Sequence, residues 1–556
     1  PKDHDGDFAA LVVDWRRRAA EAGFDPDRIP ALVGQATPKP LVVDSDELAQ
    51  ALTIESSTFD RTDALRAVAE RAATGASVED VEAVADAFLA GDPVAWLADD
   101  IYTTPEMLRL ETAIMTNAQT RLGAGMGIAP SAAIEAELGS RRWLSNEQAD
   151  MIRHLAGSGN GVDVVLGVAG AGKTHALECA RAAWEAGGHE TLGVALAALA
   201  ATELEQRSGI PSRTVDRLLM ELDRGGTSLG PRTVFVVDEA GMVDTRRLAR
   251  LLAHADAAQA KVVLVGDDQQ LPEIEAGGAF AGLLRRLPAV VLAENRRQTD
   301  PVDRQALAEL RTGDAEAAVR RLVDNGRLTL VDSTDVARCQ MVSDWLAARR
   351  NAEDAVMLAV RRADVHELNR LARAELVAAG AVRQDGITAN GSTFGVGDRV
   401  MALANRRRLD VVNGARGTVT AAGEAGVAVR LDGGATVTLP ADYLHAGNLT
   451  HAYATTIHKA QGMTCDRSLV LAGDALFREA GYTALSRGRA ENRLYLVAPE
   501  PPDVDVGYGI RGDRAGAIDE LVSALEHSRR KHPAIERLTR LAPPAPSPAP
   551  GLGIDL

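Results

Sequence analysis

Apolar residues follow two rhythms along the chain. Over residues 1–140 they recur three and four apart, as in "DALRAVAERAA" and "VEDVEAVADAFLA", which predicts an N-terminal helical region with Ser77 as one helix start. From 141 to 295 short apolar runs take over: "VDVVLGV", "TLGVALAAL", "TVFVVDEA" and "KVVLVGDD", each separated by a helical segment. Buried parallel strands joined by crossover helices give this alternation, so a doubly wound α/β domain is expected. A second set, "DAVMLAVRRADVHELNR", "RSLVLAGD" and "NRLYLVAPE", predicts another α/β domain over 296–500. Within it, residues 393–449 carry short alternating runs punctuated by glycine pairs, the pattern of a small inserted β-barrel or sheet. Residues 501–556 end in "LAPPAPSPAPGLGIDL" and read as a tail or linker.

Composition narrows the function classes. The 556 residues contain no apolar run long enough to cross a membrane, and "PKDHDGDFAA" lacks the pattern of a signal peptide, so a soluble cytoplasmic protein is expected. Cys179, Cys339 and Cys465 show no CxxC spacing, which points to reduced core thiols rather than zinc or disulfides. A net charge of -17 argues against a surface coated in positive charge, though not against a narrow basic channel. Six lysines stand against 55 arginines, which makes Lys173 and Lys459 conspicuous.

The strongest chemistry is "GVAGAGKTH". Gly167, Gly172, Lys173 and Thr174 satisfy G-x-x-x-x-G-K-[ST] between an apolar run and a helical one, with Gly170 and His175 in the same stretch. Glycines let backbone N–H groups wrap phosphates; a helix start favours anions, Lys173 neutralises the β and γ phosphates of ATP, and Thr174 ligates Mg²⁺. Further on, "TVFVVDEAGM" places Asp238 and Glu239 at a strand end. Asp238 suits the Mg²⁺ shell and Glu239 the attacking water, although such a pair can also be a solvated strand end. The next strand ends in "VGDDQQLPEIEAGGAF", with Gln270 placed to sense the γ-phosphate.

With that third element the sequence resembles superfamily-one helicases of the 5′-to-3′ branch, the RecD-like enzymes and the helicase portion of TraA/TrwC-like (MobF-type) conjugative relaxases. The resemblance implies two RecA-like P-loop domains with an SH3-like insertion. It implies that Gln148 in "LSNEQADMI" reads adenine and that Arg297 in "AENRRQTD" reaches the γ-phosphate. In "TTIHKAQGMT", Thr456, His458 and Lys459 would meet DNA, while Gln461 and Gly462 couple it to nucleotide. In "GYTALSRGR", Arg487 would be a second arginine finger, with Tyr482 and Thr483 as packing support. Closure of two domains on one nucleotide, alternated with strand grip, would move single-stranded DNA. Since aromatics are only 3% of the chain, a phosphate-dominated grip is expected, with Arg406, Arg407 and Arg408 as further positive candidates. A single chain carries both halves of the nucleotide site, so a monomer suffices.

The match departs from the family in three places. The element that reads close to A-P-T-G-K-A-A is here "ALAALAATEL", leaving Thr202, with Thr214 beyond it, as the polar candidates for strand contact. The segment between Thr214 and Asp238 is too short for a long strand-splitting hairpin. "ESSTFDRTDALRAVAE" and "IYTTPEMLRLE" look like the linker between relaxase and helicase parts in TraA-like proteins, yet the first tyrosine is Tyr102 and no H-x-H pair occurs, so nicking activity is not expected here. Two readings follow: an ATP-dependent translocase and helicase in plasmid transfer, with a relaxase or the conjugation machinery as partner, or a helicase-shaped module that binds a strand or partner and barely unwinds.

Overall fold

The computed structural model describes residues 8–28, 41–73, 75–498 and 514–541. They form two compact units, one of residues up to 105 without 54–57, the other of 54–57 and residues from 106 on.

The first unit is not wholly helical. Around helices Ser45–Leu52, Arg61–Arg71 and Val78–Leu89 it carries β1 (Phe59–Asp60), β2 (Ala95–Ala98) and β3 (Ile101–Thr103), an antiparallel sheet in the order β1-β3-β2. Ser77 does cap its helix, its side chain accepting from the Asp80 amide. Leu48, Phe59, Val68 and Phe88 fill the core. The expectation of helix through residue 140 missed these strands because runs of two to four residues are too short to show a period. Helix Pro105–Thr120 buries Ile114, Met115 and Ala118 in the core of the second unit.

That unit opens with a six-stranded parallel sheet: β4 (Val162–Gly167), β5 (Glu190–Ala195), β6 (Ser212–Thr214), β7 (Thr233–Val237), β8 (Lys261–Gly266) and β9 (Ala289–Leu292), ordered β6-β5-β7-β8-β4-β9. β7 and β8 are buried along their whole length, as strands covered by helices on both faces must be. In this first lobe the loops after β4, β7 and β8 leave one edge of the sheet, where ligands of open α/β sheets bind.

The second lobe begins with β10 (Leu328–Val331) and β11 (Ala355–Ala359). The chain then departs to build hairpin β12 (Gly386–Ala389) and β13 (Ser392–Gly395), followed by β14 (Arg399–Ala402), β15 (Arg416–Gly423), β16 (Gly426–Leu431), β17 (Thr436–Pro440) and β18 (Leu449–His451). It returns as β19 (Ala454–Thr456), β20 (Cys465–Leu471) and β21 (Gly488–Val497), completing a parallel sheet ordered β10-β21-β20-β11-β19. The excursion is an antiparallel sheet, β17-β16-β15-β14-β18, around Phe394, Val419, Val429 and Leu439. It starts before the expected residue 393 because Asn390 and Gly391, both at positive φ (49° and 75°), make a two-residue hairpin turn.

The expected tail from 501 is corrected over 514–541. Helix Arg514–Glu526 places Ala517, Leu521 and Leu525, four apart, in the core of the second lobe, where the Leu525 side chain leaves room for no more than a glycine at 481. Residues beyond it return to the first lobe: Arg530 reaches Asp268 (2.5 Å), and Lys531 Nζ donates to the carbonyls of Glu55, Ile274 and Glu275. The Glu111 carboxylate accepts from the Ala534 and Ile535 amides, and helix Ile535–Leu541 follows. Residues 501–513 and the proline-rich 542–556 lie outside the described residues. Cys179 and Cys465 are buried, whereas Cys339 is exposed, a correction to three core thiols. Among the described residues no helix is long and apolar enough to cross a membrane.

Candidate nucleotide cleft and strand channel

The loop after β4 turns at Gly170 and Gly172, both left-handed (φ 83° and 76°), and enters helix Lys173–Ala186 with Gly172 at its N-cap. Side chains at these glycines are excluded by contact as well as conformation. A Cβ at Gly170 would lie 2.5 Å from Arg297 Cβ, and one at Gly172 2.4 Å from Gln148 Nε2. Lys173 folds back so that Nζ donates to the Gly167 carbonyl at 2.9 Å.

Asp238 and Glu239 follow β7. Glu239 is held at φ 50°, a strained conformation for a non-glycine residue and one typical of functional sites, and its amide donates to Asp238 Oδ1 (2.9 Å). Burial and the neighbouring Glu239 carboxylate push the Asp238 carboxyl up to about 6, against the pull of Lys173. Gln270, 4% exposed, sits in the loop after β8.

One cleft of about 230 Å³ between the lobes collects these groups. Its lining includes Ala169 to His175, Asp238, Glu239, Gln270, Arg297, Gly462 and Arg487. Arg297 belongs to the segment connecting the lobes: the Arg296 amide donates to the Gly170 carbonyl, Arg297 Nη1 to the Ser486 carbonyl (3.0 Å), and the Thr299 amide to Arg489. Burial and the nearby Arg487 push the Arg297 guanidinium down to about 9. Arg487 is 2% exposed; Nε donates to the Thr483 carbonyl and Nη1 to that of Met463, and burial lowers its pKa. Gln148 is buried behind the loop, donating to the Ala171 and Gly172 carbonyls and accepting from Ser145 and Arg296. His175 is exposed and meets the Trp143 ring edge-on, with centroids 5.6 Å apart.

Tyr482 and Thr483 do more than pack. The Tyr482 hydroxyl donates to Asp267 Oδ2 (2.9 Å) and accepts from the amide of Ala169 in the phosphate loop (3.2 Å), while Thr483 Oγ1 accepts from the Leu271 amide. Arg311 closes the cluster on Asp267 and Asp268. These bonds join second-lobe residues to the first lobe beside the phosphate loop.

A second cavity, about 630 Å³, adjoins the first. Thr214, His458, Lys459, Gln461 and Gly462 line it, and Ala200, Glu203, Glu239 and Gly462 line both cavities. Lys459 and His458 are exposed; Arg362 and Arg416 lower the lysine and Arg529 the histidine, each after a larger effect of burial. Thr456 stands just behind, accepting from the Lys459 amide. Thr202 is not brought there. It lines a separate groove, and its hydroxyl bonds back to Ala198 within its own helix. Of the arginine run, Arg406 pairs with Asp442 and Arg408 is exposed; the side chain of Arg407 lies outside the described residues.

Sequence reasoning overlooked Glu203 and Arg207. They stand one helical turn apart in "TELEQR" and line the nucleotide cleft, where burial raises the Glu203 carboxyl and Arg207 opposes the rise. Their i, i+4 spacing was the only signal. Asn405 and Asn413, in loops of the inserted domain, gave none.

A phosphate loop facing two arginines across a cleft between two parallel sheets defines a two-lobed P-loop nucleotide-binding core of the superfamily-one helicase class. A family model described as "AAA domain" matches residues 143–333. The chain is 38% identical over 400 residues to a conjugal transfer protein TraA of Rhizobium radiobacter, covering 71% of this chain and 36% of that protein. It is 29% identical to an ATP-dependent RecD2 DNA helicase of Deinococcus radiodurans, over 63% of this chain and 48% of the relative. A crystal structure of Pif1 helicase from Candida albicans matches with a TM-score of 0.44 at 18% identity, over 72% of this chain and 99% of that one. Over the matched residues the chain is similar to TraA and RecD-like superfamily-one helicases, and it spans about a third of the length of the TraA relatives it matches.

Proposed function

We propose that this chain is an ATP-dependent single-stranded-DNA translocase and helicase, 5′-to-3′ as in the RecD-like branch, acting in the cytoplasm in conjugative plasmid processing with a relaxase or the transfer machinery as partner. One observation carries the reading: the nucleotide cleft and the strand channel share a wall of Ala200, Glu203, Glu239 and Gly462, so the hydrolytic carboxylate borders both.

The residues present fit Mg²⁺·ATP, because the cradle at Gly170 and Gly172 leaves backbone room that any Cβ would fill. Thr174 and Asp238 would hold Mg²⁺, which supplies charge neutralisation of the phosphates. Lys173 would exchange the Gly167 carbonyl for a phosphate oxygen. Glu239 would take the proton of the water that attacks the γ-phosphorus as the bond to the β-phosphate oxygen breaks, and Arg297 and Arg487 would stabilise the charge that moves. Gln148 would have to release one end of its carboxamide to read adenine, with His175 beside the base. Thr456, His458 and Lys459 would grip the strand, and the inserted domain, read as an SH3-like barrel, would roof it.

The clamp reading keeps one supporting observation, the alanine-rich segment 195–204, whose Thr202 faces away from the channel. Steady-state ATP hydrolysis without DNA, with single strands and with blunt duplex, using Glu239→Gln as control, separates the two. Stimulation by single strands alone supports the motor; weak, DNA-indifferent hydrolysis supports the clamp.

A further inference from the structure

The two walls of the strand channel differ in chemistry. On the first-lobe side stand Leu199, Met220, Met242 and Ile274. The charges on that side are acidic or already matched: Glu203 and Glu239 are carboxylates, Arg217 is held by Glu221 (2.8 Å) and Asp216 by Arg247 (2.7 Å). Thr214 Oγ1 accepts from the Arg217 amide as the cap of helix Val215–Asp223. Among the described lining residues the one cation on this wall, Arg217, already has a carboxylate partner. Opposite, the exposed His458, Lys459, Asn405 and Asn413 all present donors.

Ile274 is 68% exposed, and the backbone that carries it is anchored. Lys531 Nζ holds the carbonyls of Ile274 (2.7 Å) and Glu275 (2.8 Å). The Ala276 amide donates to Ile54 (2.7 Å), and its carbonyl accepts from Thr245 (2.9 Å). A β-branched apolar side chain fixed in water beside other half-buried apolar side chains leaves hydrophobic area unburied in the empty channel.

A ligand with one anionic edge and one apolar edge satisfies both walls, and a nucleic-acid strand has that form. We propose that the first-lobe wall is a platform for the bases of single-stranded DNA, with Ile274 and Met242 packing against base faces while His458 and Lys459 take the phosphates. This rests on the strand-motor reading and deepens it: the substrate is a strand with its bases present, not a bare phosphodiester track.

The test compares the full chain's affinity, by fluorescence anisotropy, for an oligothymidylate and for a strand of equal length made of abasic residues, over a series of salt concentrations. The abasic strand is expected to bind roughly tenfold more weakly or worse with the same salt slope, since the phosphates are unchanged and stacking is lost. Ile274→Ser should weaken oligothymidylate binding and leave the abasic strand unaffected; Ile274→Trp should tighten oligothymidylate alone. Equal affinity for the two strands, or an equal loss of both in Ile274→Ser, overturns the platform while the motor reading stands. Binding of neither strand overturns the motor reading, and the platform with it.

Discussion

Gln461 of the second lobe donates through Nε2 to Oε1 of Gln270 in the first, at 3.4 Å. Gln270 lines the nucleotide cleft and Gln461 the strand channel, so this one bond links the two cavities across the lobe interface. The Gln461 Oε1 is buried and unpaired, at a cost of about 1–3 kcal/mol. A buried amide kept half satisfied points to a group that changes partner during the cycle.

Gln461→Leu is therefore expected to hold or raise the melting temperature while removing most of the stimulation of ATP hydrolysis by single-stranded DNA. Differential scanning calorimetry beside steady-state turnover checks both. A variant that melts lower and keeps its stimulation contradicts the coupling role.

Lys173→Ala should abolish hydrolysis with the fold intact, because the one hydrogen bond described for Nζ is to the Gly167 carbonyl and the side chain is only half-buried. Circular dichroism and phosphate release suffice. Near-normal turnover would remove the phosphate-loop assignment.

The pH dependence of Mg²⁺-nucleotide binding should report Asp238. With its carboxyl raised to about 6, protonation below that pH would remove the proposed Mg²⁺ ligand, and affinity should fall about tenfold per pH unit. Glu239→Gln removes the like charge and should move the midpoint lower. For stability the sign is opposite to that of a salt-bridged carboxylate: the folded state holds the proton more tightly than the unfolded one, so this group's contribution declines as pH rises between about 4 and 6. A midpoint unmoved in Glu239→Gln, measured by titration with a fluorescent ADP, would show that another group controls the profile.

The C-terminal return gives a further prediction. Arg530→Ala combined with Lys531→Ala removes the contacts to Asp268 and to the carbonyls of Glu55, Ile274 and Glu275. Basal hydrolysis should fall several-fold and the radius of gyration by small-angle scattering should grow. An unchanged radius would mean that the Tyr482 cluster and the Arg297 segment hold the lobes together without the C-terminal return.

The core chemistry was legible because it is local. The phosphate loop is contiguous, its glycines and lysine lie beside an all-apolar strand, and Asp238 and Gln270 each follow another such strand. What escaped was set by distant contacts. The direction of Thr202 depends on how its helix rotates against the inserted domain. The glutamate at 203 acquires meaning only when Gly462 arrives, a Cβ there lying 3.6 Å from its Oε2. Helix Arg514–Glu526 had a readable four-residue period, but it was overshadowed by the proline-rich end beyond it. The Asn390–Gly391 turn was a strong hairpin signal passed over because its strands are four residues each.

The chain crosses between the lobes twice, once through the Arg297 segment and again through residues 527–533 on its way back to the first lobe. A body attached at one point can swivel and twist; a body attached at two separated points can only rock about the line through them. Under the proposed motor reading, a stroke driven by ATP would be restrained to rocking about that line. The step taken along a strand would then be the arc of that rocking, with sideways slippage opposed by connectivity rather than by friction.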